Sequence, residues 1–239
     1  MTGGAVTPVG LENGIEGRSL VWLLDYPGCF CYGATGAEAL DRLPPAVEAY
    51  REWLAAHGQE GWLPAEVQEF DVVDAWQVYC INEAYEIVEQ GDEINAWFRH
   101  DWKPLTEREV ERGLALLDWT RADLLAAVQG LSDADMDTLL PDQHWSIRGI
   151  LGHVGGAEWW YLDRLRLALP RALVPEDPFE RLRVVRIHMR ETLSRSAGSR
   201  EVVGTEGEFW SPRKMLRRAV WHERDHTQHI DQLRTVLGR

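Results

Sequence analysis

The sequence predicts an α+β protein in two parts, a small N-terminal α/β domain and an all-α C-terminal four-helix bundle. Two observations carry this. Before residue 75, short apolar runs alternate with glycine-containing turns, as strands joined by hairpins do. After Lys103-Pro104, apolar residues recur at helical spacing to the end of the chain, in four segments of about 20 residues. The expected boundaries are 1–75 for the α/β domain, 76–102 for a connector and 103–239 for the bundle.

Composition narrows the class. The chain has 239 residues, 45% hydrophobic and 27% charged, which is the balance of a globular protein with a sizeable core. Twelve tryptophans supply large surfaces for cores and pockets. The formal charge is −14, and it is uneven. Residues 1–100 hold 17 acidic and 4 basic side chains, a net −13; residues 101–239 hold 22 and 21, a net −1. So negative a surface repels phosphate backbones, which argues against nucleic acid as a partner. It favours solubility and suits a basic protein partner. Cys29, Cys31 and Cys80 are an odd set and no disulfide framework. Cys29 and Cys31 alternate on a strand and read as small buried hydrophobes. No apolar run of about 18 residues and no leader-like N-terminus is present, so the expectation is a cytoplasmic protein without a membrane span.

Along the chain, VGLEN and SLVWLLDYP read as strands around NGIEG, where Asn-Gly supports a turn. CFCYG is a third short strand. Helical spacing runs from Ala37 to Ala56, with Pro44-Pro45 predicting a kink or a division. Strand character resumes near Val67–Val73. The stretch DYPGCFCYGATGAEAL, Asp25–Leu40, joins a Pro-Gly turn, a short strand and a helix start. There Thr35 is an N-cap and Glu38 completes a capping box. This stretch resembles the HicB-like domain over residues 8–73. The resemblance implies a three-stranded sheet with a helix and, more weakly, antitoxin activity. Residues 76–102 are acidic and aromatic without a clean period.

The first bundle helix opens at Leu105-Thr106 and ends before Gly130. Ser146 caps the second, Asp177-Pro178 the third and Ser211-Pro212 the fourth. On the fourth, Met215, Ala219, His222, His226, Ile230 and Leu233 share one stripe at 100° per residue, with His229 at its margin. Two inward histidines one turn apart need buried partners, and one divalent ion would serve both. A core pair of ordinary histidines is the equal alternative on spacing alone. On the second helix His153 sits at the edge of the apolar face, undecided between ligand and boundary residue.

Trp145-Ser146, then His153, then His222-x3-His226 resembles the DinB/YfiT-like superfamily, over residues 105–237. The resemblance implies a four-helix bundle with a three-histidine site for a divalent metal such as Zn²⁺ or Ni²⁺, on His153, His222 and His226. It also implies a low-molecular-weight thiol as co-substrate and dimerisation through bundle helices. Three neutral imidazoles leave the ion its full charge, so a thiol or water brought to it loses its proton near neutral pH. The reading is therefore a metal-dependent enzyme of thiol S-transferase type acting on a small electrophile. A metal-dependent hydrolase is one alternative, and a non-enzymatic interaction protein is the other.

Other candidates have two readings each. Glu158, on the inward stripe, is a catalytic base or a group supporting the ligands, or else it is paired with an arginine. Glu223 reads as a flank or a support for its neighbour His222. Gly155-Gly156 leave room for substrate or allow close packing. His229 reads as lining, and His188 as unremarkable. Arg181, Arg183, Arg186 and Arg190 read as a solvated basic face, or as a seat for an anionic thiol.

Overall fold

The computed structural model describes residues 6–65, 67 and 69–238. The chain forms two compact units: Met1–Lys103 together with Gly204–Trp210, and Pro104–Val203 together with Ser211–Arg239.

In the first unit, β1 (Thr7–Ile15) pairs antiparallel with β2 (Arg18–Leu23), and β2 with β3 (Phe30–Gly33). β4 (Phe70–Gln77) lies parallel to β1 on its other side, giving the order β3-β2-β1-β4. The sheet therefore has four strands where three were expected. The three follow from the HicB-like resemblance; the fourth, β4, overlaps the strand character read near Val67–Val73 and runs on to Gln77. The β1–β2 turn is also displaced from its expected place. Glu16 and Gly17 turn the chain with φ of +47° and +73°, while Asn13-Gly14 sits at a register shift within β1.

The helical stretch divides at Arg42 into α1 (Gly36–Asp41) and α2 (Leu43–Ala56), with Pro44-Pro45 in the first turn of α2, where proline is tolerated. Thr35 caps α1, accepting from Glu38 N at 3.2 Å. Glu38 reaches Ala34 N at 2.8 Å, one residue short of a capping box. Ala39, Leu43, Val47 and Leu54 of these helices are buried with Leu20 and Val21 of β2. Gly33 of β3 lets α1 approach the sheet: a Cβ there would stand 2.3 Å from Ala39 N.

Residues 76–102, expected as a connector, continue the first unit. They form β5 (Cys80–Ile81), which pairs with both β6 (Ile87–Val88) and β7 (Asp92–Glu93), and a 3-10 turn over Arg99–Trp102. Strands of two residues are too short to show a period. A hairpin of β8 (Val203–Thr205) and β9 (Glu208–Trp210) completes them. Glu208 accepts from Asn95 N at 2.6 Å and Asn95 Nδ2 at 2.7 Å. Phe209 packs near Trp97 and Trp102, at 5.8 and 5.9 Å between ring centroids.

The second unit is a four-helix bundle of α3 (Glu107–Ala127), α5 (Ile147–Arg164), α6 (Pro178–Ser194) and α7 (Pro212–Val236), with a short α4 (Asp133–Asp137). Helix α3 packs on α6 and α7, and α5 does likewise. The caps are those the sequence predicts: Ser146 accepts from Gly149 N, Asp177 from Glu180 N and Ser211 from Lys214 N. Thr106 with Glu109 closes a full capping box on α3. Glu109 also binds Arg213 of α7 at 2.6 Å. Burial opposes its charge, yet Arg213 and the Thr106 cap hold the Glu109 carboxyl down to about 2. At one end, Leu124, Ile147, Leu151, Val154, Leu182 and Ile230 join all four helices. Each such leucine or isoleucine contributes about 1.5–3 kcal/mol by leaving water. Gly113 lets α3 approach α7, since a Cβ would meet Leu216 at 2.7 Å. Among the described residues, no helix is long and apolar enough to cross a membrane.

Candidate metal centre

His222 and His226 stand one turn apart on α7, and His153 faces them from α5. Their ring nitrogens converge. His153 Nε2 lies 2.9 Å from His222 Nε2, and His226 Nε2 lies 3.1 Å from it. All three ligand atoms fall within 4.8 Å of one another. His222 and His226 are buried and His153 is half-buried.

Hydrogen bonding among the rings does not satisfy this arrangement. A neutral imidazole carries one N–H and one lone pair. His222 Nε2 faces two other Nε2 atoms and has a single lone pair or a single proton for both. Protonation is no remedy either. Burial first, then the neighbouring His226 and His153, hold the His222 pKa well below its ordinary value. Burial and then His153 hold His226 down to about 3. His222 and His226 thus stay neutral near pH 7, and the trio presents nitrogen to nitrogen. Three imidazoles on one tetrahedral ion sit with nitrogens about 3.4 Å apart, and the two separations from His222, 2.9 and 3.1 Å, are close to that. The donor set fits a divalent cation, and imidazole suits Zn²⁺ and Ni²⁺.

Aromatic rings frame the trio. Trp145, just before α5, stacks on His153 at 4.2 Å with 22° between planes, and meets His226 edge-on at 6.4 Å. Tyr161 meets His222 edge-on at 6.1 Å. His229 lies outside the trio; its Nε2 binds Gln143 Oε1 at 2.7 Å, tying the loop before Trp145 to α7. His188 is half-buried and binds the Leu167 carbonyl. The two glycines separate. A Cβ at Gly155 would press on Arg181 at 3.1 Å, whereas one at Gly156 meets nothing within 4 Å. Gly156, one turn after His153, is the one with open space beside it.

Glu158 is placed among arginines. It accepts from Arg186 Nε at 2.6 Å and from Arg121 Nη2 at 2.8 Å, at 3% exposure. Both of its oxygens are engaged, which is the ion-paired alternative. Glu223 is bound by the same two arginines and by the Thr120 hydroxyl. Arg186 is thus buried, in contrast to the solvated face expected of it. Of its neighbours, Arg181 donates to the Gly152 carbonyl of α5 at 3.2 Å, Arg183 to Glu180 and Arg190 to Asp118. Sequence reasoning passed over Arg121 altogether. The available signal was its place on the buried stripe of α3, one residue after Thr120.

Among solved structures, the chain is similar to YfiT from Bacillus subtilis, described as a probable metal-dependent hydrolase with an unusual four-helix bundle topology. The match has 20% sequence identity and a TM-score of 0.44, covering 58% of this chain and 94% of that one. No curated protein matches the chain. The family model of the DinB superfamily matches residues 116–230, a span that contains His153, His222 and His226.

Proposed function

We infer that the bundle is the catalytic part of a divalent-metal-dependent enzyme, with the ion on His153, His222 and His226. The observation that carries this is the convergence of three histidine Nε2 atoms inside the bundle, two of them on buried rings that burial keeps neutral. A divalent ion there supplies Lewis acidity that lowers the pKa of a thiol or water brought to it. The chain's own groups do the rest. Burial keeps His222 and His226 deprotonated and ready to bind. Trp145 covers one face of His153 and fixes its plane. The space beside Gly156 gives a substrate room on the His153 side.

The specific reaction proposed is transfer of a low-molecular-weight thiol to a small electrophile. The support is the sequence resemblance together with a donor set free of carboxylates, which leaves the ion its full charge to stabilise a thiolate. The test is turnover of a chromogenic electrophile with and without added thiol, alongside elemental analysis of the purified protein. Thiol-dependent turnover that a chelator abolishes supports the transferase. Chelator-sensitive turnover without thiol assigns a hydrolase instead. Protein without stoichiometric metal after Zn²⁺ or Ni²⁺ loading overturns the metal centre.

For the first unit we propose a HicB-like domain that docks a basic protein partner. The support is its hairpin, Pro-Gly turn and capped helix in that order, with a net −13 in residues 1–100. Salt-independent behaviour of the full chain on a cationic matrix would remove that support.

A further inference from the structure

Four charged side chains meet inside the bundle, one from each long helix: Arg121 of α3, Glu158 of α5, Arg186 of α6 and Glu223 of α7. All four are buried. Arg121 donates to Glu158 at 2.8 Å and to Glu223 at 2.5 Å. Arg186 donates to Glu158 at 2.6 Å and also to Glu223. Each carboxylate bridges both guanidiniums, so two positive and two negative charges close a ring. The spare N–H groups reach main chain on facing helices: Arg121 to the Leu182 carbonyl, Arg186 to the Leu117 carbonyl.

A buried ring of this kind contributes little net stability, because desolvation offsets its attraction, and apolar residues of similar volume would fill the core as well. Its distinctive property is direction. Each hydrogen bond fixes an angle and a height that apolar contacts alone leave free to slide. Two members are tied to the histidine trio through their helices. Glu223 follows His222 directly, and Glu158 lies five residues after His153. A helix turns as a unit, so fixing the rotation of Glu223 and Glu158 fixes that of the histidines.

We propose that the Arg121–Glu158–Arg186–Glu223 ring is a positioning network that sets the rotation of α5 and α7 so that the three Nε2 atoms converge. Its role in catalysis rests on the metal-centre reading, but its geometric content is measurable without metal. The test is Glu158→Met with Arg186→Met, which removes one charge of each sign and leaves Arg121 paired with Glu223. Leu193→Ala, a buried bundle position outside the ring, is the control for general loosening. Crystals of metal-free wild type and double variant give the Nε2 separations, and Co²⁺ titration gives affinity and the visible spectrum. The expected result is a folded double variant with its histidines spread apart. Co²⁺ should bind about 10-fold or more weakly, with an altered spectrum. Leu193→Ala should lower the thermal midpoint and keep the wild-type spectrum. Unchanged Nε2 separations in the double variant overturn the proposal, whatever the metal does. A wild type that takes no Co²⁺, with separations that still widen in the variant, removes the metal reading and leaves the ring's role standing. If the double variant does not fold, Glu158→Gln is read by the same two measurements and the same criteria.

Discussion

Two polar clusters share helices α5 and α7 of the bundle, and they differ in completeness. In the arginine–glutamate ring, every carboxylate oxygen has a donor and the charges cancel. Burial opposes the charge of Glu223, but Arg186 and Arg121 overcome it and hold its pKa below the ordinary carboxylate value. In the histidine trio nothing cancels. Nitrogen faces nitrogen at 2.9 and 3.1 Å, and among the described residues no carboxylate joins the group. A buried cluster that satisfies itself is finished by folding, whereas one that does not is finished by a ligand. The contrast separates the part of the core that holds shape from the part that receives an ion.

Removing members of each cluster should therefore have opposite signatures. The largest effect expected is for His222→Ala. It should weaken Zn²⁺ or Co²⁺ binding by more than the roughly 100-fold that losing a ligand's supporting partner costs. Its urea midpoint without metal should stay near wild type. Equal metal content in variant and wild type would erase the distinction between the clusters. Glu223→Gln should do the reverse to stability. One carboxylate would then face two buried guanidiniums, and the chain should lose about 3–5 kcal/mol in urea unfolding.

Acid should loosen the trio first. The folded pKa of His226 lies at about 3 and that of His222 well below the ordinary 6.5, so as pH falls below 6.5 the unfolded chain binds more protons than the native one. Their contribution is complete above about pH 6.5 and is lost as pH falls, by up to about 1.4 kcal/mol per unit for each ring. Urea midpoints of the metal-free protein at pH 7 and pH 5 check this, and equal midpoints would contradict it. The smallest effect expected is at Gly156. Alanine there meets open space, so it should stabilise α5 by about 1 kcal/mol with unchanged Co²⁺ affinity. At Gly155 the same change should destabilise, because Arg181 must move.

The histidine trio was legible from sequence because its signal is local. His222 and His226 repeat at the helical period on a stripe of aliphatic residues, and a resemblance of motif then picked out His153. The ring was not legible as such. Its four members lie on four helices, up to 102 residues apart in contact, and no one helix shows the partners that the others supply. Arg186 stood in a run of arginines, and its burial is a property of the packed bundle. Much the same holds for the first unit. Its hairpin and its helix over Ala37–Ala56 follow from alternation and spacing. Strands β5, β6 and β7 are two residues long and β8 and β9 three, too short to show alternation, and Glu208 of β9 meets Asn95 from a distant part of the chain.

The β8–β9 hairpin places a condition on how the protein is made. Residues 204–210 belong to the first unit yet lie between α6 and α7 in the chain. On the ribosome, the N-terminal unit must wait for more than 200 residues of synthesis before Glu208 can reach Asn95. Most multidomain chains finish the first domain before the second emerges; in this one, three helices of the bundle are synthesised first. A gene cut at residue 103 would accordingly yield an N-terminal fragment with Ile81 and Ile94 stripped of Gly207, which packs against both.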